Sequence, residues 1–131
     1  MASTFTDLGI ELMATGENAG TWGTKTNTNL TIINEAVAGY VSQSIAGGAQ
    51  TTALSIADGI AGSTAQQAVI NLTGSITGNQ IVTVPDSIEK VYIITNSTSG
   101  AYTVQFKTAS GTGVTFSTVE KTSKLVYSDG T

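Results

Sequence analysis

EKVYIITNSTSGAYTVQFKTA, residues 89–109, decides the class of fold. In its second half Tyr102, Val104 and Phe106 recur at every second position, opposite Thr103, Gln105 and Lys107, which is the period of a strand with one wet face. The first half is rich in β-branched and aromatic residues, and the intervening STSG has turn composition, so the spacing predicts a hairpin around Ser99 and Gly100.

The same signals extend to either side. NLTGSITGNQIVTVP (71–85) offers Ile76, a turn at Gly78 and Asn79, then Ile81 and Val84, and Pro85 with Asp86 ends the run. GTGVTFSTVE (111–120) and SKLVYSDGT (123–131) supply two further strands. About six short strands at roughly ten-residue spacing predict a small antiparallel β-sandwich or barrel. Asp129 and Gly130 form a turn signal of the kind that leads into another strand, so the chain is expected to be the front portion of something longer.

Upstream, AGGAQ (46–50) marks a break, which predicts an N-terminal segment over 1–45 and a β-rich domain over 46–131. Just after it, Ser63 is expected to cap a short helix over AQQAVI (65–70). Within the N-terminal segment, Leu30, Ile33, Val37 and Tyr40 recur at spacings of three, four and three, the stripe of an amphipathic helix running from Asn27 to about Ser44. Either Asn27 or Thr28 suits its cap. The same spacing fits the a and d positions of a heptad, so the stripe packs either on its own domain or against identical helices. Residues 16–24, with Gly16, Gly20 and Gly23, are expected to form a loop, because each glycine costs a helix about 1 kcal/mol. Before the loop, Phe5, Leu8, Ile10, Leu12 and Met13 fit a short strand or an extended arm.

The 131 residues are one domain's worth of chain, and their polarity is carried by hydroxyls and amides: 23 Thr, 13 Ser and 7 Asn against only 11% charged residues. With 40% apolar residues and a net charge of −4 the composition is that of a folding chain, not of a disordered one. So few charges imply that much of the surface meets other protein. No apolar stretch approaches the ~20 residues of a membrane helix and the start lacks a basic signal region, so a soluble, unprocessed chain is expected. The five basic residues are all lysines, which removes the guanidinium fork that grips phosphates and guanine edges, and nucleic-acid binding is not expected.

Reactive chemistry is scarce. The chain has no histidine and no cysteine, so Ser and Thr lack their usual activating base and thiolate metal sites are excluded. The nine carboxylates are spread out, and neither Asp86 with Glu89 nor Asp58 with Asp129 sits in a calcium-loop pattern. GTWGTKT (20–26) fails as a phosphate loop because Thr24 separates Gly23 from Lys25. The N-x-[ST] triplets at Asn29, Asn71 and Asn96 are what a Thr-rich chain yields by chance. No catalytic residue, cofactor or metal is therefore expected. Trp22, the only tryptophan, either plugs its own domain's core or serves as a docking anchor whose flanking glycines admit a partner's backbone.

LGIELMATGENAGTWGTKTNTNLTIINEA (8–36) resembles a segment found near the start of tail-fibre and related virion proteins of tailed bacteriophages, many of them marine. Gly16, Glu17, Asn18, Gly20, Thr21, Trp22, Gly23, Asn27 and Asn29 carry the resemblance, and residues 75–114 look like the β-rich region that often follows. The resemblance implies a virion structural protein, a homotrimer whose leading part anchors a fibre to the particle for host attachment. Trp22, Asn18, Gly20 and Gly23 would then form the anchoring junction, and Leu30, Ile33, Val37 and Tyr40 would face the three-fold axis. Its partners would be its own copies, other virion proteins and, through parts of a fibre that lie beyond these residues, a host-surface glycan. The alternatives are a capsid-surface decoration or head-fibre protein and, from another class, a carbohydrate-binding module using Tyr92, Tyr102, Phe106 and Tyr127. A polysaccharide depolymerase lacks the paired carboxylates it needs.

Overall fold

A computed structural model describes residues 2–131. The chain is mainly β with one helix near its start, as the alternation predicts, and its sheets do not close into a barrel. A two-residue pair, β1 (Thr4–Phe5) and β2 (Glu11–Leu12), forms the arm, and α1 (Trp22–Ala38) follows. Next come β3 (Tyr40–Ser44), β4 (Gln50–Ala53), a 3-10 turn (Thr64–Gln66), β5 (Val69–Ser75) and β6 (Gln80–Val84). β7 (Glu89–Ser99), β8 (Val104–Thr108), β9 (Val114–Phe116) and β10 (Ser123–Asp129) complete the chain.

The sheets are not the antiparallel ones expected. One runs in the order β10, β7, β5, β3 and the other β4, β6, β8, β9; β3, β5 and β7 pair in parallel, and so do β4, β6 and β8. Three strand–corner–strand units are thus stacked, each crossing from one sheet to the other. Within these two sheets only β9 on β8 and β10 on β7 run antiparallel. The predicted hairpin at Ser99 and Gly100 is one of these crossings: β7 and β8 lie in different sheets. Alternation specifies that a segment is a strand; it does not specify the neighbour.

The corners are stacked as tightly as the strands. Gly47 donates its N–H to Ser75, Ile76 to Ser99, and Thr77 back to Gly47. Gly100, at φ +111°, passes so close to Ile76 that a Cβ there would strike the Ile76 carbonyl oxygen. Gln80, opposite Gln50 in register, is buried and its amide nitrogen donates to the carbonyls of Gly47 and Gly48, which binds one unit's corner to the next.

The core lies between the two sheets. Ile70, Leu72, Tyr92 and Ile94 from one meet Val82, Val84, Val104, Phe106 and Phe116 from the other, and full burial of such a side chain contributes about 1.5–3 kcal/mol. The rings of Tyr92 and Phe106 make an edge contact at 5.4 Å, and the Tyr92 hydroxyl donates to the Ala65 carbonyl at 2.6 Å.

The helix differs from the expected one at both ends. It begins at Trp22, inside the predicted glycine loop, because contacts with the arm outweigh the weak propensity of Gly23. It ends at Ala38, not near Ser44. Gly39 is extended and packed against Glu35 and Gln67 with no room for a Cβ, and Tyr40 is already strand. Hence β3, which precedes the division placed at residue 46, shares a sheet with β5. The short helix expected over 65–70 is a single 3-10 turn, and β5 begins at Val69.

Candidate assembly surface

The helix docks through a face that the apolar spacing does not reveal. Ile32 is fully buried, the Gln66 amide donates to its carbonyl, and the Lys90 ammonium donates to the carbonyl of Ala36 at 3.1 Å. The Glu35 carboxylate accepts the Gly62 N–H, and the Ala68 N–H reaches the Glu35 carbonyl. One and two turns earlier on that side, Asn29 and Lys25 hold the arm. Asn29 takes the Glu11 N–H and returns a hydrogen bond to the Glu11 carbonyl, and Lys25 forms an ion pair with the Glu11 carboxylate at 3.5 Å. Asn18 donates to the same carboxylate at 3.2 Å. Burial raises the pKa of Glu11, but the hydrogen bonds from Asn18 and Ser3 and the charge of Lys25 outweigh it and hold the carboxyl below its usual range.

Glu11 is therefore the hub on which Asn18, Lys25 and Asn29 converge, and sequence reasoning missed it. Its place in an alternating arm carried no sign of this role. Asn18, singled out as an anchoring residue, bonds within the chain, and with Asn29, which belongs to the resembling segment, it ties the arm to the helix region.

This docking turns the predicted stripe outwards. Leu30, Ile33 and Val37 are exposed, Val37 by 76%, and so is Trp22 at 65%. Trp22 does not close the core; it stands at the helix start beside Met13 and Ala14, over a shallow depression of about 330 Å³. Gly20 and Gly23 flank it with open space where a Cβ would be. About three turns separate Trp22 from Ile33, so the two fall on one side of the helix.

Tyr40 belongs to a strand, not to the helix stripe, yet it too points outwards. In register it stands beside Val69, Val69 beside Ile93, and Ile93 beside Leu125, so one apolar row crosses all four strands on the sheet's outer face. Val91 and Tyr127, paired with each other, widen the row on one flank. On the other flank the polar groups bond among themselves: Asn71 donates to the Tyr40 hydroxyl, Ser97 to Asn71, and Thr95 shares a 2.7 Å bond with Ser123.

Elsewhere, a groove of about 420 Å³ opens between the ends of the two sheets, with Val84, Phe106 and Val126 among its apolar lining and Lys107, Thr108 and Asp129 among its polar lining. The aromatics considered for sugar binding do not form a platform: Tyr92 and Phe106 are core residues, and Tyr102 and Tyr127 are exposed. Burial pushes the Lys90 ammonium, which lies over the Tyr92 ring, down to about 8, and pushes the Tyr92 phenol up. Asp86 is held low by the Ser110 amide, Glu120 by the Ser117 amide and Lys124, and Asp129 by the Thr131 amide; these carboxylates tie local turns.

Comparisons with protein-family models, with curated proteins and with solved structures find no match to this chain.

Proposed function

We propose that the chain is a structural protein of a tailed-phage virion, part of a tail fibre or fibre-like appendage, and that it works by assembling as a homotrimer anchored to the particle. One observation carries the assembly part: Trp22, Leu30, Ile33 and Val37 form an apolar helix side turned away from the chain's own core. A helix packs on its own domain through its apolar side, and here that duty falls to Ile32 and to polar contacts. The outward stripe is thus free to meet copies of itself. The phage assignment is supported by the residue pattern of segment 8–36, whose asparagines clamp the arm and leave Trp22 at the head of the helix. The composition, rich in hydroxyls and poor in charge, suits a protein that acts through contacts and without catalysis.

Replacing Ile33 with Asp tests the assembly reading, because a charge at a packed position has no partner. Light scattering on the variant is expected to give a lower mass than the unaltered chain, and an unchanged mass contradicts it. Labelled antibody against the chain, viewed by electron microscopy on particles, tests the virion reading: label on the tail or particle surface is expected, and its absence contradicts it.

A further inference from the structure

We infer that the outer face of the β3–β5–β7–β10 sheet is a contact surface between copies of this chain, on which Tyr40, Val69, Val91, Ile93, Leu125 and Tyr127 are covered by a neighbouring copy in the assembly. This rests on the self-assembly proposed above and extends it to a surface that the helix stripe does not include.

The register makes the face. Tyr40, Val69, Ile93 and Leu125 are consecutive neighbours across four strands, so their side chains stand side by side and form a continuous band. A sheet with one apolar face ordinarily buries it under a second layer. The inner face of this sheet has its layer in the β4–β6–β8–β9 sheet, whereas on the outer face Val91 is 52% exposed, Leu125 74% and Tyr127 63%. The helix α1 packs instead on the 3-10 turn and Lys90.

Area argues for a second copy. The three aliphatic residues of the helix stripe expose on the order of 300 Å², well short of the about 800 Å² that each partner buries in a stable interface. The sheet face adds roughly 600 Å², at the upper end of what the largest patch on a monomer exposes, and brings the sum to that threshold. The two surfaces also adjoin along the chain, since Val37 ends the stripe and Tyr40 begins the band.

The band's surroundings suit a like partner. Beside it the polar side chains of Asn71, Thr95, Ser97 and Ser123 already satisfy one another, so covering them leaves few groups without a bond. No charged residue lies within the band, and Glu89 and Asp129, paired at one end of β7 and β10, lie outside it. A partner of opposite charge has nothing to grip within the band, whereas an apolar surface of another copy fits.

The test uses the whole chain. Ile93→Lys and Leu125→Lys place a charge on the band, and Val119→Lys places one on an apolar residue that is 81% exposed in the turn between β9 and β10, outside the band. Circular dichroism is expected to show all three folded, because none of these side chains is in the core. Light scattering is expected to give a lower mass for the two band variants and the parent mass for Val119→Lys. Because the chain has no cysteine, Leu125→Cys adds a clean readout: a short thiol cross-linker is expected to join copies through it, and not through Val119→Cys.

An oligomeric parent whose mass survives both band variants overturns the sheet-face inference alone, and the helix reading then stands or falls by Ile33→Asp. Equal dissociation by Val119→Lys also overturns it. A monomeric parent overturns both readings at once.

Discussion

Asn29 grips the backbone of Glu11 from both sides: its side-chain oxygen accepts the Glu11 N–H and its amide donates to the Glu11 carbonyl, each at 2.9 Å. A side-chain amide used in this way mimics a neighbouring strand, and it fixes the arm to the helix where β2 is only two residues long.

Replacing Asn29 with Leu removes both bonds and leaves two backbone groups of Glu11 seeking water. The expected cost is about 1–3 kcal/mol of stability, with selective loss of hydrogen-exchange protection in residues 2–14. Unchanged protection of the arm contradicts the clamp.

The hydroxyl of Tyr92 is expected to matter independently of its ring. Tyr92→Phe keeps the packing against Phe106 and strands the Ala65 carbonyl, at a cost of about 1–2 kcal/mol, or a melting point lower by some ~3–8 °C. A variant that melts with the parent contradicts that account.

Two glycines separate backbone strain from collision. Gly74 sits at φ +113° with Ala46 so close that an added Cβ would lie 2.8 Å from that residue's own, whereas Gly16, at φ +80°, has nothing within 4 Å. Gly16→Ala is expected to cost about 1–2 kcal/mol from strain alone, and Gly74→Ala clearly more, because the stacked corner has to open. Equal costs, read from denaturant unfolding, contradict the tight stacking of the units.

Stability is expected to rise with pH above neutrality. Lys90 gives up its proton near pH 8 in the folded chain but near 10.5 when unfolded, so between these values the unfolded state binds more protons and raising the pH favours folding. The gain is on the order of 1–2 kcal/mol by pH 10. Beyond that Tyr92 acts in the opposite sense, since its raised pKa means that the unfolded chain ionises first. In Lys90→Met the rise between pH 8 and 10 is expected to vanish; urea titrations at several pH values decide it.

Strand positions were legible because alternation at Tyr102, Val104 and Phe106 and turn composition at Gly78 and Asn79 are local. Pairing was not legible: the parallel stack depends on contacts such as that of Gly100 with Ile76, which no window of sequence contains. The helix stripe at Leu30, Ile33 and Val37 was visible, but which side faces the domain depends on Asn29, Ile32 and Lys90, and a buried lysine bonded to Ala36 leaves no periodic trace. Tyr40 shows the limit most plainly. It continues a helical spacing in the letters, yet Gly39 ends the helix one residue earlier, and its meaning lies in strand neighbours 29 and more positions away.

Light scattering of the purified, unaltered chain bears on the proposed assembly more heavily than any substitution. The proposal predicts a species of three times the 13.3 kDa of one chain at micromolar concentration, with Trp22 fluorescence that shifts to longer wavelength on dilution as the helix side is exposed to water. A stable 13.3 kDa species at every concentration contradicts it.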